Sequence, residues 1–77
     1  MHVTREPNLH AFRTALDKVR VDANVSYELL AERTGLHRLT VLRMLRGHRG
    51  GSLESWWRIA TALDADFAQM IRLLDEA

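Results

Sequence analysis

The stretch Val25-Ser26-Tyr27-Glu28-Leu29-Leu30-Ala31-Glu32-Arg33-Thr34-Gly35-Leu36-His37-Arg38-Leu39-Thr40-Val41-Leu42-Arg43-Met44-Leu45 decides the fold of this 77-residue chain. Ser26 is suited to cap the open amides of a helix's first turn, and Leu29, Leu30 and Ala31 follow at helical spacing, so a short helix starts there. Gly35 ends it in a left-handed turn, a conformation strained for any residue with a Cβ. Another helix runs from His37 or Arg38 to Leu45, with Gly47 as its C-terminal glycine. Two helices crossing so closely need a small residue on the first, a glycine in the turn, and a branched apolar residue on the second to plug the gap. Ala31, Gly35 and Val41 have that spacing, and Leu30, Leu36 and Met44 supply the remaining apolar contacts.

Outward from this pair the same helical period recurs. Upstream, Leu9, Phe12, Leu16 and Val19 form one stripe behind Asn8, a cap that directly follows Pro7, which places the first helix at Asn8 to Asp22. Downstream, Gly50 and Gly51 make a flexible loop, Ser52 caps again, and Leu53, Trp56, Ala60 and Leu63 mark the fourth helix. Asp66 with Gln69 matches a capping box opening a fifth helix, about 66–75, whose stripe is Phe67, Met70, Ile71 and Leu74, widened by Leu73. No alternating strand pattern occurs, so the expected class is all-α, five short helices in a single domain over 8–77 behind a flexible segment 1–7. A chain of this length holds one small core, and a separate effector-sensing domain is not expected.

Charge is unevenly distributed. The net charge is only +1, yet Arg33 to Leu53 holds Arg33, Arg38, Arg43, Arg46 and Arg49 with His37 and His48 and no acid, while Asp64, Asp66, Asp75 and Glu76 cluster toward the end. Such a split implies one surface that faces an anion and one turned away from it. With no cysteine there is neither a disulfide nor a thiolate metal site, and His2, His10, His37 and His48 lack metal-ligand spacing, so no metal or cofactor is expected. No Ser-His-acid arrangement can be argued, which leaves no basis for an enzyme. Neither a membrane span nor a signal peptide is visible, and a cytoplasmic location follows as an expectation.

The sequence resembles the lambda-repressor and Cro-like (XRE-type) helix-turn-helix family. The resemblance runs without a gap from Val25 to Leu36, through Val41 and Arg46-Gly47, to Ser52-Leu53-Glu54, Ile59-Ala60 and Ala62-Leu63, with Val19-Arg20 ahead of it. It implies a helix-turn-helix over about 26–45, formed by the second and third helices, and a transcriptional regulator that binds double-stranded DNA, most simply a phage, mobile-element or bacterial repressor. The third helix then lies in the major groove, with Arg38, Leu39, Leu42 and Arg43 as base-reading candidates. Each arginine can donate two hydrogen bonds to guanine, worth roughly 1–3 kcal/mol of discrimination, and the leucines can only meet thymine methyls. Ser26, Tyr27, His37, Thr40, Arg46, His48 and Arg49 are the phosphate-binding candidates.

Relatives commonly dimerise through their C-terminal region, which implies a homodimer on a palindromic operator with half-sites about 34 Å apart. The interface candidates are Trp57, Phe67, Met70, Leu73 and Leu74, whereas Trp56 aligns with a core position. The sequence departs from the family in three places, the first being Tyr27, where members often carry a glutamine that bonds a phosphate. Leu45 stands where many relatives carry an acid that pairs with the arginine matched by Arg20, leaving Arg20 to Asp17 or to DNA; and His37 is a poor helix cap. Two alternatives stay open: the antitoxin or autoregulator of a toxin-antitoxin pair, or a helix-turn-helix that has lost DNA binding and docks a protein partner on Trp57, Leu42, Leu45 and Leu73.

Overall fold

The computed structural model describes residues 5–76, so His2 and the first four residues of the segment expected to be flexible lie outside the described residues. The elements are α1 (Leu9–Asp22), α2 (Tyr27–Thr34), α3 (Arg38–Arg46), α4 (Leu53–Ala62) and α5 (Phe67–Arg72), followed by a 3-10 turn at Leu73–Asp75. Among the described residues there is no strand. The five expected helices are therefore present, the last tightening into 3-10 geometry where a longer α-helix was anticipated.

Helices this short are marginal in isolation, and their ends are correspondingly well satisfied. Asn8 Oδ1 accepts the Ala11 amide at 2.9 Å, Ser26 Oγ that of Leu29 at 3.0 Å, Ser52 Oγ that of Ser55 at 3.0 Å, and Asp66 Oδ1 that of Gln69 at 3.2 Å. Each such cap contributes about 1 kcal/mol. His37 caps α3 through its backbone position alone, with no side-chain bond, as its residue type led us to expect.

Four helices terminate in a residue of positive φ: Asn24 (57°), Gly35 (76°), Gly47 (81°) and Asp64 (56°). Behind Asn24 the Val25 amide reaches back to the Arg20 carbonyl at 3.0 Å, and behind Asp64 the Ala65 amide reaches Ala60 at 2.9 Å, so both turns are the left-handed stop that glycine usually makes. Asn and Asp are the side chains that tolerate this region best, which is why the sequence can do without glycine there.

The core is built from Phe12, Leu16, Val25, Leu30, Val41, Met44, Leu45, Trp56, Ile59, Ala60 and Leu63. Phe12 lies at its aromatic centre, edge-on to Trp56 at 5.1 Å between centroids and to Phe67 at 6.4 Å, which ties α1 to α4 and α5. Three expectations need correction. Leu9 and Leu53 are 41% and 70% exposed, because each is the first residue of its helix and projects past the end of the core. Leu45, expected on the polar side of α3, is 5% exposed, because it follows Val41 by four residues and shares its inward face. The described end of the N-terminal segment runs beside the last turn, with the Asn8 amide donating to Leu74 O at 2.9 Å and Arg5 Nη2 to Asp75 O at 3.1 Å.

Candidate nucleic-acid interface

The turn between α2 and α3 is held from three sides. Gly35 takes the left-handed conformation and its amide donates to Ala31 O at 2.9 Å. Thr34, buried at 5% exposure, donates its hydroxyl to Leu30 O at 2.8 Å and accepts the Leu36 amide at 3.2 Å, so the Gly35 and Leu36 amides of the turn are both bonded. From α4, Arg58 donates Nη1 to the Thr34 carbonyl at 3.1 Å while Nη2 meets Glu54 at 2.6 Å. These bonds hold the turn itself, while Leu30 and Val41 meet in the core with Ala31 partly buried against it, the packing that the spacing predicted.

Turned outward, α3 presents a different chemistry. Val41, Met44 and Leu45 face the core, whereas Arg38, Leu39, Arg43 and Arg46 are exposed, and Thr40 and Leu42 are half-buried along the flanks. Leu39 is 49% exposed, an apolar side chain kept in water on an otherwise cationic face. Past Gly47, His48 and Arg49 are also exposed, so the basic run extends beyond the end of the helix.

At the opposite end, Ser26, Tyr27 and Arg38 border a cleft of about 230 Å³ together with Arg20 and Glu28. Arg20 joins Asp17 at 2.8 Å, donates to Val25 O at 2.9 Å and stacks its guanidinium 4.0 Å over the Tyr27 ring. Without the acid that relatives carry at the Leu45 position, this arginine instead braces the start of α2, and of its two expected partners it has taken Asp17. Arg38 Nε lies 3.4 Å from Glu28 Oε1.

Arg13 is a residue that reading the sequence missed. Its Nη1 would stand 3.2 Å from a Cβ at Gly47, against the C-terminal end of α3, and its Nε is buried with no hydrogen-bond partner among the described residues. A signal was available: Arg13 and Arg20 are seven residues apart, two helical turns, so α1 aims both at the helix pair from one face. Glu28 is a second residue that the sequence alone did not single out.

The interface candidates are not brought together. Trp57, 52% exposed, lines an open groove of about 640 Å³ with Arg33, Thr34, Glu54, Arg58, Thr61 and Ala62. Phe67 and Leu74 instead border an apolar cleft of about 250 Å³ beside Leu9 and Leu53. Phe67, Met70 and Leu74 are partly buried against the core of their own chain, and Leu73 is half-buried in the 3-10 turn. With Leu45 inside the core, the apolar docking surface of the protein-partner reading also loses a member.

A helix-turn-helix family model matches residues 16–70, from the middle of α1 into α5. The chain belongs to the XRE, lambda-repressor-like helix-turn-helix family. No curated protein matches it closely enough to add to that. This XRE-type chain is a DNA-binding regulator with the all-α lambda-repressor-like fold, and the family is not typically enzymatic. Among its described residues no helix is long and apolar enough to cross a membrane.

Proposed function

We propose that the protein is a repressor that binds a palindromic operator as a homodimer, with α3 in the major groove and Arg38 and Arg43 donating to guanines. The observation that carries this reading is the division of α3: one side is closed into the core by Val41, Met44 and Leu45, and the other leaves Arg38, Leu39 and Arg43 exposed in a stretch without acids. Leu39, with Leu42 beside it, is placed to meet thymine methyls. Ser26, Tyr27, His37 and Thr40 near the start of the helix pair, and Arg46, His48 and Arg49 beyond its end, take phosphates and set register. Arg13 joins the second group, since its guanidinium stands at the same end of α3.

The second copy docks through the α5 end, where exposed Leu9 and Leu53 flank the Phe67 and Leu74 cleft and leave apolar surface uncovered. Leu73 and Met70 extend this surface, and Trp57, on another face, stands apart from it. Bound at a promoter in the cytoplasm, the dimer occludes polymerase.

Selection from a random duplex library, followed by fluorescence anisotropy on the recovered operator, tests the reading. Arg38→Ala and Arg43→Ala should each weaken operator binding by roughly 1–3 kcal/mol and relax the preference at one base pair per half-site. Strong operator binding that ignores both changes refutes it. A promoter fusion that rises in activity when the protein is expressed refutes repression alone.

A further inference from the structure

We propose that Glu28 is a specificity-determining residue: it keeps Arg38 from swinging onto phosphate at the same cleft, so that duplex of the wrong sequence is bound weakly. The inference rests on the reading of Arg38 as a base-contacting residue. The cleft at the start of α2 has the makings of a plain phosphate site, with Arg20, Arg38, the Tyr27 side chain and the first-turn amides of α2 around it. Glu28 does not belong in such a site. Its carboxylate nevertheless stands 3.4 Å from Arg38 Nε, with 78% of the Glu28 side chain and 52% of the Arg38 side chain exposed.

An arginine at the first turn of α3 has two uses. Free to swing, it binds the phosphates of any duplex; held by its Nε edge, it keeps the two terminal amino groups that form the fork matching guanine N7 and O6. Glu28 stands beside the Nε edge as an exposed ion pair at 3.4 Å. On a non-cognate duplex an arginine kept beside Glu28 is less free to swing onto a phosphate, whereas on the operator the fork finds its base. Sequence-independent affinity is reduced more than operator affinity, and the ratio between them widens.

The test compares Glu28→Gln, Arg38→Ala, the double variant, and Glu32→Gln, which removes an exposed acid of the same helix that forms no ion pair among the described residues. Each is titrated by anisotropy against the selected operator and a scrambled duplex over a salt series, after circular dichroism has shown it folded. Glu28→Gln is expected to raise affinity for the scrambled duplex by about three- to tenfold, to change operator affinity much less, and to steepen the scrambled-duplex salt slope by about one. In the Arg38→Ala background the same change should leave the operator-to-scrambled ratio untouched. An equal gain on both duplexes, matching Glu32→Gln, overturns the proposal, as does a ratio effect that persists without Arg38. An Arg38→Ala variant with unaltered operator binding instead overturns the base-contact reading beneath it.

Discussion

Gly35 and Gly47 end the two helices of the DNA-binding unit in the same backbone conformation, at φ 76° and 81°, yet substituting them should have different consequences. An alanine in this region carries a strain of about 1–2 kcal/mol, and in a domain of this size that lowers Tm by roughly 4–8 °C per kcal/mol. At Gly35 the added methyl would meet Arg58 Nη1 at 3.7 Å, an ordinary contact, so the backbone term is the whole effect. At Gly47 it would meet Arg13 Nη1 at 3.2 Å and Cδ at 3.7 Å, and the guanidinium, being the far end of a flexible chain, must shift. Both variants should therefore lose similar stability, but only Gly47→Ala should disturb phosphate binding. The measurement pairs thermal unfolding by circular dichroism with operator affinity against salt, well below either midpoint. Gly35→Ala should retain the parental salt slope, and Gly47→Ala should lose about one unit of it per subunit. In an Arg13→Ala background Gly47→Ala should still lower Tm and no longer alter the slope. Equal slopes for the two glycine variants would refute the assignment of Arg13 to phosphate, and an unshifted Tm would refute the strain argument.

Leu45→Ala should destabilise the fold by about 2–5 kcal/mol in denaturant titrations, whereas Leu39→Ala should leave stability within about 0.5 kcal/mol and relax the operator at one base pair in a repeat selection. Thr34→Val keeps shape but strips the Leu36 amide of its acceptor, so a loss of about 1–3 kcal/mol is expected in the same titration; an unchanged midpoint would mean that water replaces the hydroxyl. Asp64→Gly removes side-chain strain at φ 56° and should raise or preserve Tm, the opposite sign to Gly47→Ala; a fall would show that the Asp64 carboxylate does more than tolerate its turn.

The helices were legible because each is short, amphipathic and bounded by chemistry that acts within a few residues: Asn8, Ser26, Ser52 and Asp66 all cap as their type and position imply. Two of the four left-handed stops were legible for the same reason, since Gly35 and Gly47 announce themselves. Asn24 and Asp64 do not, because these residues are as common in loops and caps as in left-handed turns. Gly51, expected to be a flexible joint, is small for a reason that only packing discloses: a Cβ there would run into Met44 Cε and crowd Trp56 Nε1, so the loop is pressed onto the core. Leu45 follows the inward period of Val41, and its departure from the family pattern says nothing about that face. Arg13, Arg20 and Glu28 fall in another class, because their partners are set by how α1, α2 and α3 approach one another and no local pattern encodes that.

These arginines also explain how so small a core holds a reading surface at a fixed angle. A nine-residue helix such as α3 cannot rely on its own propensity, and burial of Val41, Met44 and Leu45 fixes its face without fixing its tilt. The helix pair is braced at its ends. Arg58 bonds the carbonyl that closes α2, Arg20 bonds the carbonyl that precedes it, and Arg13 packs against the turn that closes α3. Arg20 and Arg58 bond the backbone of the helix pair, so the side chains facing DNA can change without loosening the frame. The frame and the reading residues are therefore separable by mutation: an exchange at Arg38, Leu39 or Arg43 should move the operator and leave Tm in place, while one at Arg20 or Arg58 should do the reverse.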